Sequence, residues 1–159
     1  MTMANLAPMD DVDRIMAVMQ TAFDPLYGES WTRAQVDNTL VLNTCHHALI
    51  GHDGLPPPPG VPAAGFALSR AVADEEELLL LAIAPEHRRQ GLGTALLAQV
   101  RDAARARGIL RMFLEMRDGN PAETLYRING FTAIGRRPKY YRTSEGNRID
   151  AITFALDMK

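Results

Sequence analysis

The 159-residue chain has one cysteine, Cys45, and only two lysines among its 17 basic residues. One cysteine excludes a disulfide framework and any multi-cysteine zinc or iron–sulfur site, so the chain reads as one from a reducing, cytoplasmic compartment. No apolar stretch approaches the roughly 18 residues that a membrane-spanning helix needs. Met1 to Asp13 carries acids where a secretory leader carries a basic patch before an apolar run. Nothing in the sequence is expected to cross a membrane. A content of 47% hydrophobic and 23% charged residues is that of one compact domain over residues 1–159, with a real core. It excludes disorder and a large multidomain enzyme.

The net charge of -2 hides an asymmetry. Residues 1–80 hold 3 basic and 11 acidic side chains, and residues 81–159 hold 14 basic and 8 acidic. Fifteen of the cations are arginine, whose fork makes paired hydrogen bonds to planar or phosphorylated anions. Composition alone allows an ordinary arginine-rich surface equally well, so position must decide.

Val12, Ile15, Met16, Met19, Ala22 and Phe23 recur at helical spacing behind Asp10, which predicts an amphipathic helix over 10–23. Thr32 and Gln35 have capping-box spacing and open a second helix, with Trp31 before it turned inward. Cys45 to Ile50 and Val61 to Ala73 read as strands, joined by a stiff, exposed connector over 51–62 with four consecutive prolines. Leu78 to Ala84 is an unbroken apolar run, expected as a central strand buried on both faces. A helix from Gly91 to Arg107 stops at Gly108. From Leu110 to Arg117 the side chains alternate, which places Glu115 inside a strand. Asn120, Pro121 and Glu123 read as the start of a short helix ending at Gly130, and Phe131–Ile134 and Ile149–Leu156 as strands flanking a polar loop. The order is mixed α and β, with one strand–helix–strand unit at its centre.

The most informative segment runs from that apolar strand through Arg88, Arg89, Gln90, Gly91, Leu92, Gly93 and Thr94 into a helix. Glycines at such a turn let the backbone approach a ligand, and the free N–H groups of the first helical turn offer an anion site. The same residues could also form a glycine-relaxed helix start with solvent arginines. A P-loop is excluded because no Gly-Lys-Ser/Thr ending follows, and the dinucleotide fingerprint is excluded because Leu96 stands where a third small residue is required.

Arg88-x-x-Gly91-x-Gly93 after an apolar strand resembles the acyl-CoA-binding motif of the GNAT superfamily of N-acetyltransferases. Leu125-Tyr126-Arg127-Ile128-Asn129-Gly130-Phe131 resembles that superfamily's Leu-Tyr-x-x-x-Gly-Phe element. Leu114-Glu115-Met116-Arg117 with Asn120, and the tail Arg136-Arg137-Pro138-Lys139-Tyr140-Tyr141, look like its RimI branch, which acetylates protein N-termini; Trp31-Thr32 resembles that branch's early Trp-Ser pair. The resemblance runs from about Trp31 to the C-terminus. It implies a GNAT-like α/β fold: a mixed, mainly antiparallel, twisted sheet flanked by helices and splayed at the acetyl-CoA site.

The resemblance also implies roles. Leu81, Ala82 and Ile83 would offer backbone groups to the acetyl and pantetheine portion of acetyl-CoA, Arg88 to Thr94 would surround its pyrophosphate, and Asn120 would lie near its thiol. Glu115 would be the general base and Tyr126 the general acid. These types suit the chemistry: an amine attacks a thioester only when neutral, and CoA leaves as a thiolate of pKa about 8.5. Without the resemblance, a strand glutamate between Arg111 and Arg117 reads as a paired structural charge and a helix tyrosine as part of the core. Asn120 to Tyr126 spans six residues where the family more often has seven, and the loop around Gly119 is expected to absorb the difference. Tyr140 and Tyr141 would frame an extended peptide in a substrate-binding loop.

Cys45, His46, His47 and His52 invite a metal reading, but adjacent strand residues point to opposite faces and no carboxylate completes the set, so no metal is expected. The cations and aromatics from Arg136 to Arg142 resemble a nucleic-acid surface but are few, in a net acidic chain, so no nucleic-acid partner is expected either. The expected reaction is acetyl transfer to an amine. The resemblance implies a protein N-terminus as the acceptor, such as that of a ribosomal protein; a small amine, a lysine side chain, or a non-catalytic acyl-CoA-binding module are the alternatives.

Overall fold

The computed structural model describes residues 9–158, so the leader reading of residues 1–8 lies outside the described residues. Local capping sets the first two helices. Asp10 accepts from the Asp13 N–H at 2.7 Å while Asp13 accepts from the Asp10 N–H, which starts α1 (Asp11–Ala22). Thr32 and Gln35 form the same reciprocal pair at the start of α2 (Arg33–Leu40), with a single 3-10 turn, Pro25–Tyr27, between the helices.

Six strands follow: β1 (Cys45–Ile50), β2 (Gly65–Val72), β3 (Glu75–Ile83), β4 (Arg111–Arg117), β5 (Thr132–Arg142) and β6 (Arg148–Asp157). They form one sheet in the order β1-β2-β3-β4-β6-β5. Only β3 and β4 run parallel, joined by the crossover helix α3 (Leu92–Ala106); every other pair is antiparallel. The sheet is therefore mixed and mainly antiparallel, as expected. A short α4 (Glu123–Ile128) lies between β4 and β5.

Helices cover both faces. Ile15, Val18 and Met19 of α1 and Val36 of α2 pack with Phe66 and Leu68 of β2 on one face. On the other, Leu92, Leu96, Leu97, Val100 and Ala104 of α3 pack with Met112 and Leu114 of β4 and with Phe154 of β6. No helix among the described residues is long and apolar enough to cross a membrane.

Three expectations need correction. The run Leu78–Ala84 lies on a central strand, but Leu79, Leu80, Leu81 and Ile83 are only half-buried, because β3 and β4 part beyond the pairing of Glu77 with Phe113. The run is both core and the wall of a cleft. The segment from Arg136 to Tyr141 is not a loop: β5 continues through it as an edge strand, with a bulge where Lys139 has φ 52°. An edge strand with almost every side chain exposed carries no apolar alternation to betray it. The strand expected from Val61 begins at Gly65, because the Val61 carbonyl is claimed by Arg14 and Ala64 is the first residue to return to Ile50.

Candidate active site

The splayed strands open a cleft of about 1440 Å³. One wall is β3 from Leu78 to Ile83 and the opposite wall is β4 from Leu114 to Arg117. Because the β3–β4 ladder covers only Glu75–Glu77 against Arg111–Phe113, the β3 backbone beyond Glu77 has no strand partner on that side. Of its backbone groups there, those of Leu81 and the Ile83 N–H turn to the cleft, while Ala82 pairs with Phe66 of β2 and the Ile83 carbonyl accepts from Arg88.

The first end of the cleft is the turn into α3. Pro85–His87 makes one 3-10 turn, Arg89 has φ 62°, and Gly91, at φ 78°, is the N-cap of α3 with no side-chain capping bond. The first-turn N–H groups of α3 are therefore not capped by a side chain, and a Cβ at Gly91 would meet nothing within 4 Å. An uncapped helix start of this kind can take an anion. Arg88 braces the turn from behind: its Nε donates to the Ile83 carbonyl at 3.1 Å and its Nη2 to the Ala22 carbonyl at 2.7 Å, tying the turn to β3 and α1. Gly93 faces α4, where a Cβ would stand 3.2 Å from Leu125 Cδ2, so its missing side chain lets the two helices approach.

Of the residues expected at this end, Arg88, Arg89, Gly91, Leu92, Gly93 and Thr94 line the cleft, whereas Gln90 does not. Thr94 Oγ1 accepts from the Asn129 side chain at 3.5 Å. Asn120 also lines the cleft, and its Oδ1 accepts from the Ala122 N–H at 3.0 Å, ordering the turn before α4.

Glu115 and Tyr126 both line the other end. Glu115 lies on the cleft face of β4, and its Oε2 is 3.1 Å from Arg137 Nε on β5. Tyr126 is 6% exposed and packs edge-on against Phe131, with ring centroids 5.7 Å apart. Burial, with Glu29 nearby, pushes its phenol well above the usual tyrosine range, so the hydroxyl stays protonated at neutral pH. The two tyrosines of β5 divide. Tyr141 is half-buried and lines the cleft, its hydroxyl pushed up to about 12 by burial and by Glu115. Tyr140 does not line it; it is 49% exposed, packs edge-on against Tyr141, and carries the Arg137 guanidinium 5.2 Å from its ring centroid.

Several cleft residues were given no role by the sequence. Tyr27 and Glu29 come from the α1–α2 connection, and Arg117 from β4. Arg117 Nε is 3.3 Å from Glu29 Oε1, and its Cζ sits 3.5 Å from the Tyr27 ring centroid. The available signal was the two-residue step from Glu115, which puts both side chains on one face of β4. Among the described residues no three His, Cys, Asp or Glu side chains converge on a metal-sized site, and His47 is committed to Asp11 at 2.7 Å.

A mixed sheet that splays beside an uncapped helix N-terminus, with a carboxylate and a phenol beyond the splay, defines an acyl-CoA-dependent acyltransferase class. Comparison with known proteins agrees. The acetyltransferase (GNAT) domain family matches residues 48–133, and the chain belongs to that family, whose co-substrate is acetyl-CoA. It is similar to the ribosomal protein bS18-alanine N-acetyltransferase of Escherichia coli strain K12, with 43% identity over 94 residues. That match spans 58% of this chain and 63% of the relative. A putative enzyme of the same name from Bacillus subtilis is 28% identical over 135 residues, covering 84% of this chain and 82% of that one. The crystal structure of the Escherichia coli ribosomal-protein-S18-alanine N-acetyltransferase superposes with a TM-score of 0.75 at 29% identity, over 96% of this chain and 92% of that one.

Proposed function

We propose that this protein, as a single cytoplasmic domain, transfers an acetyl group from acetyl-CoA to the N-terminal α-amine of a protein, a ribosomal protein being the leading acceptor by similarity. The observation that carries the reading is that one cleft joins the α3 N-terminal cradle to Glu115 and Tyr126. Acetyl-CoA supplies an activated acyl group; the chain supplies placement and proton transfer. The first-turn N–H groups of α3 and Arg89 hold the pyrophosphate, and the open β3 edge at Leu81–Ile83 holds the pantetheine amides. Glu115, through a water, takes the proton that the α-ammonium must lose before or during attack, and Tyr126 donates its proton to the departing sulfur. A strand N–H near Ile83 steadies the charge developing on the carbonyl oxygen. Tyr141 borders the acceptor side of the cleft, with Tyr140 behind it.

An α-amine has a pKa of about 7.7–8.0 and a lysine about 10.4, so near pH 7 the neutral nucleophile is several hundred times scarcer for lysine. One partly exposed carboxylate suits the first task. The test is incubation with acetyl-CoA and three acceptors, read by mass spectrometry: a peptide with a free N-terminal alanine, the same peptide N-terminally blocked but carrying lysine, and a polyamine. Acetylation of the free α-amine ahead of the others is expected. Preference for the lysine peptide or the polyamine overturns the acceptor assignment, and CoA binding without transfer to any amine overturns the enzyme reading.

A further inference from the structure

Arg117 is placed in an unusual way for a cleft arginine. Its side chain is only 12% exposed, Glu29 holds its Nε from one side, and Tyr27 lies under its guanidinium. Neither Nη group has a hydrogen-bond partner among the described residues, and neither is sealed from solvent. A planar donor edge is thus fixed in the wall of the cleft with its hydrogens unused. Glu115 and Arg117 share one face of β4, about 7 Å apart along the strand, so whatever Arg117 binds lies one short step from the group that Glu115 serves.

Charge narrows what that is. Arg117 is neutralised by Glu29, and Glu115 is paired with Arg137, so the acceptor end holds two ion pairs and no unbalanced cation. A neutral acceptor oxygen suits such an edge better than an acidic side chain, which would meet Glu29 as well. The Ser144 N–H donates to the Leu26 carbonyl at 2.9 Å, so the β5–β6 turn and the 3-10 turn that carries Tyr27 meet beside this end.

We propose that Arg117 reads the carbonyl oxygen of the acceptor's first residue, with Glu29 and Tyr27 holding the guanidinium in position, and that this contact separates N-terminal α-amines from lysine side chains. An α-amine carries a carbonyl two bonds beyond its nitrogen, within the reach set by the Glu115–Arg117 step. A lysine nitrogen is followed by four methylenes and presents none there. The inference rests on the acetyl-transfer reading above and names the feature of the acceptor that the site recognises.

The test compares two acceptors: a peptide beginning with alanine, and the same peptide with its first amide replaced by a trans-alkene isostere, which keeps the shape and removes the oxygen; because losing the carbonyl also raises the amine's pKa, kcat/KM is referred to the neutral amine of each acceptor. Wild-type protein should prefer the amide by about ten-fold or more in kcat/KM, the size expected for one hydrogen bond from a charged donor. Arg117→Met should bring that ratio close to one while leaving the KM for acetyl-CoA unchanged. The double variant Glu29→Gln/Arg117→Gln, which leaves no lone charge in the cleft, should do the same and guards against a folding defect. Equal loss toward both acceptors would show that Arg117 only anchors the Tyr27 turn and would overturn the proposal. So would a wild-type preference for an acidic first residue that vanishes in Arg117→Met. Titration of both peptides into the CoA-loaded protein reads the same discrimination as a ratio of binding constants. Binding discrimination without acetyl transfer would then fault the enzyme reading and not the role of Arg117.

Discussion

Glu115 Oε2 lies 3.1 Å from Arg137 Nε, so the carboxylate on β4 is held by a cation two strands away on β5. The bond fixes one oxygen and leaves the other for a water. Glu115→Gln keeps the side-chain size and removes the base, so kcat should fall about 10²-fold or more while acetyl-CoA affinity holds. Arg137→Met should cost less, because it loosens the carboxylate without removing it. Steady-state kinetics alongside calorimetric titration separate binding from chemistry. Unchanged turnover in Glu115→Gln would make the residue structural.

Gly91 combines φ 78° with an N-cap position whose N–H neighbours form the anion cradle. Gly91→Glu brings a negative charge and a Cβ into left-handed backbone at a cost of roughly 1–2 kcal/mol, and CoA binding should be lost. Gly91→Asn, which tolerates that conformation, should retain binding within a few-fold. Calorimetry with CoA on variants shown to be folded by circular dichroism decides the matter. Wild-type affinity in Gly91→Glu would place the pyrophosphate elsewhere.

Burial keeps the Tyr126 phenol protonated far above neutral pH, so it can donate throughout the range in which the amine becomes neutral. Tyr126→Phe should lower kcat by roughly 10²-fold at pH 7. In the wild type, kcat/KM should rise as the acceptor deprotonates and show no fall from Tyr126 ionisation up to about pH 10. An alkaline fall near pH 9 that is absent from Tyr126→Phe would contradict the assignment.

What was legible in the sequence was local. The Asp10 cap, the Thr32–Gln35 capping box, the glycine stop of α3 and the alternation of β4 depend on residues a few positions apart, and each stands where the pattern put it; the Asn120–Glu123 pair does not cap α4, whose N-cap is Ala122 with no side-chain bond. The apolar run Leu78–Ala84 was legible from its pattern as a central strand, and as a cleft wall only through the resemblance, because an apolar residue facing a ligand groove looks the same as one facing the core. The resemblance supplied Glu115 and Tyr126; periodicity alone could not separate them from a paired charge and a core aromatic. The Glu29–Arg117 pair joins residues 88 positions apart, and Arg14 meets Pro58 across 44. No spacing rule reaches such partners.

Asp150 accepts from the Lys139 N–H at 2.9 Å and from Arg136 Nη1 at 2.7 Å, so it pins the β5 bulge that precedes Tyr140 and Tyr141. The Lys139 N–H, then Arg136, hold its carboxyl below the usual aspartate value of 3.8. A group depressed on folding contributes stability that is present above its unfolded pKa and lost as pH falls through the folded one. Wild-type protein should therefore lose this contribution only below about pH 4, and Asp150→Asn should narrow the drop in melting temperature between pH 6 and pH 3. Equal drops in the two proteins would remove Asp150 from the acid response.

The connector over 51–62, for which the sequence gave no role, is clipped to α1 by one side chain. Arg14 is 7% exposed, and its Nη1 donates to the Pro58 carbonyl at 3.0 Å and the Val61 carbonyl at 3.1 Å, while Nη2 engages Asp11. Gly51 closes the other side by donating to the Leu55 carbonyl at 2.7 Å. None of the connector's residues lines the cleft, so the clip bears on stability and not on ligand contact. Arg14→Met keeps the apolar stem but strands two carbonyls and frees Asp11, and should destabilise the fold by about 2–4 kcal/mol. Chemical denaturation should show an earlier midpoint, limited proteolysis a new cut between Gly51 and Val61, and calorimetry an unchanged affinity for CoA. A wild-type midpoint with no new cleavage would mean that the prolines alone hold the connector, through their restricted backbone, and that the arginine adds nothing to it.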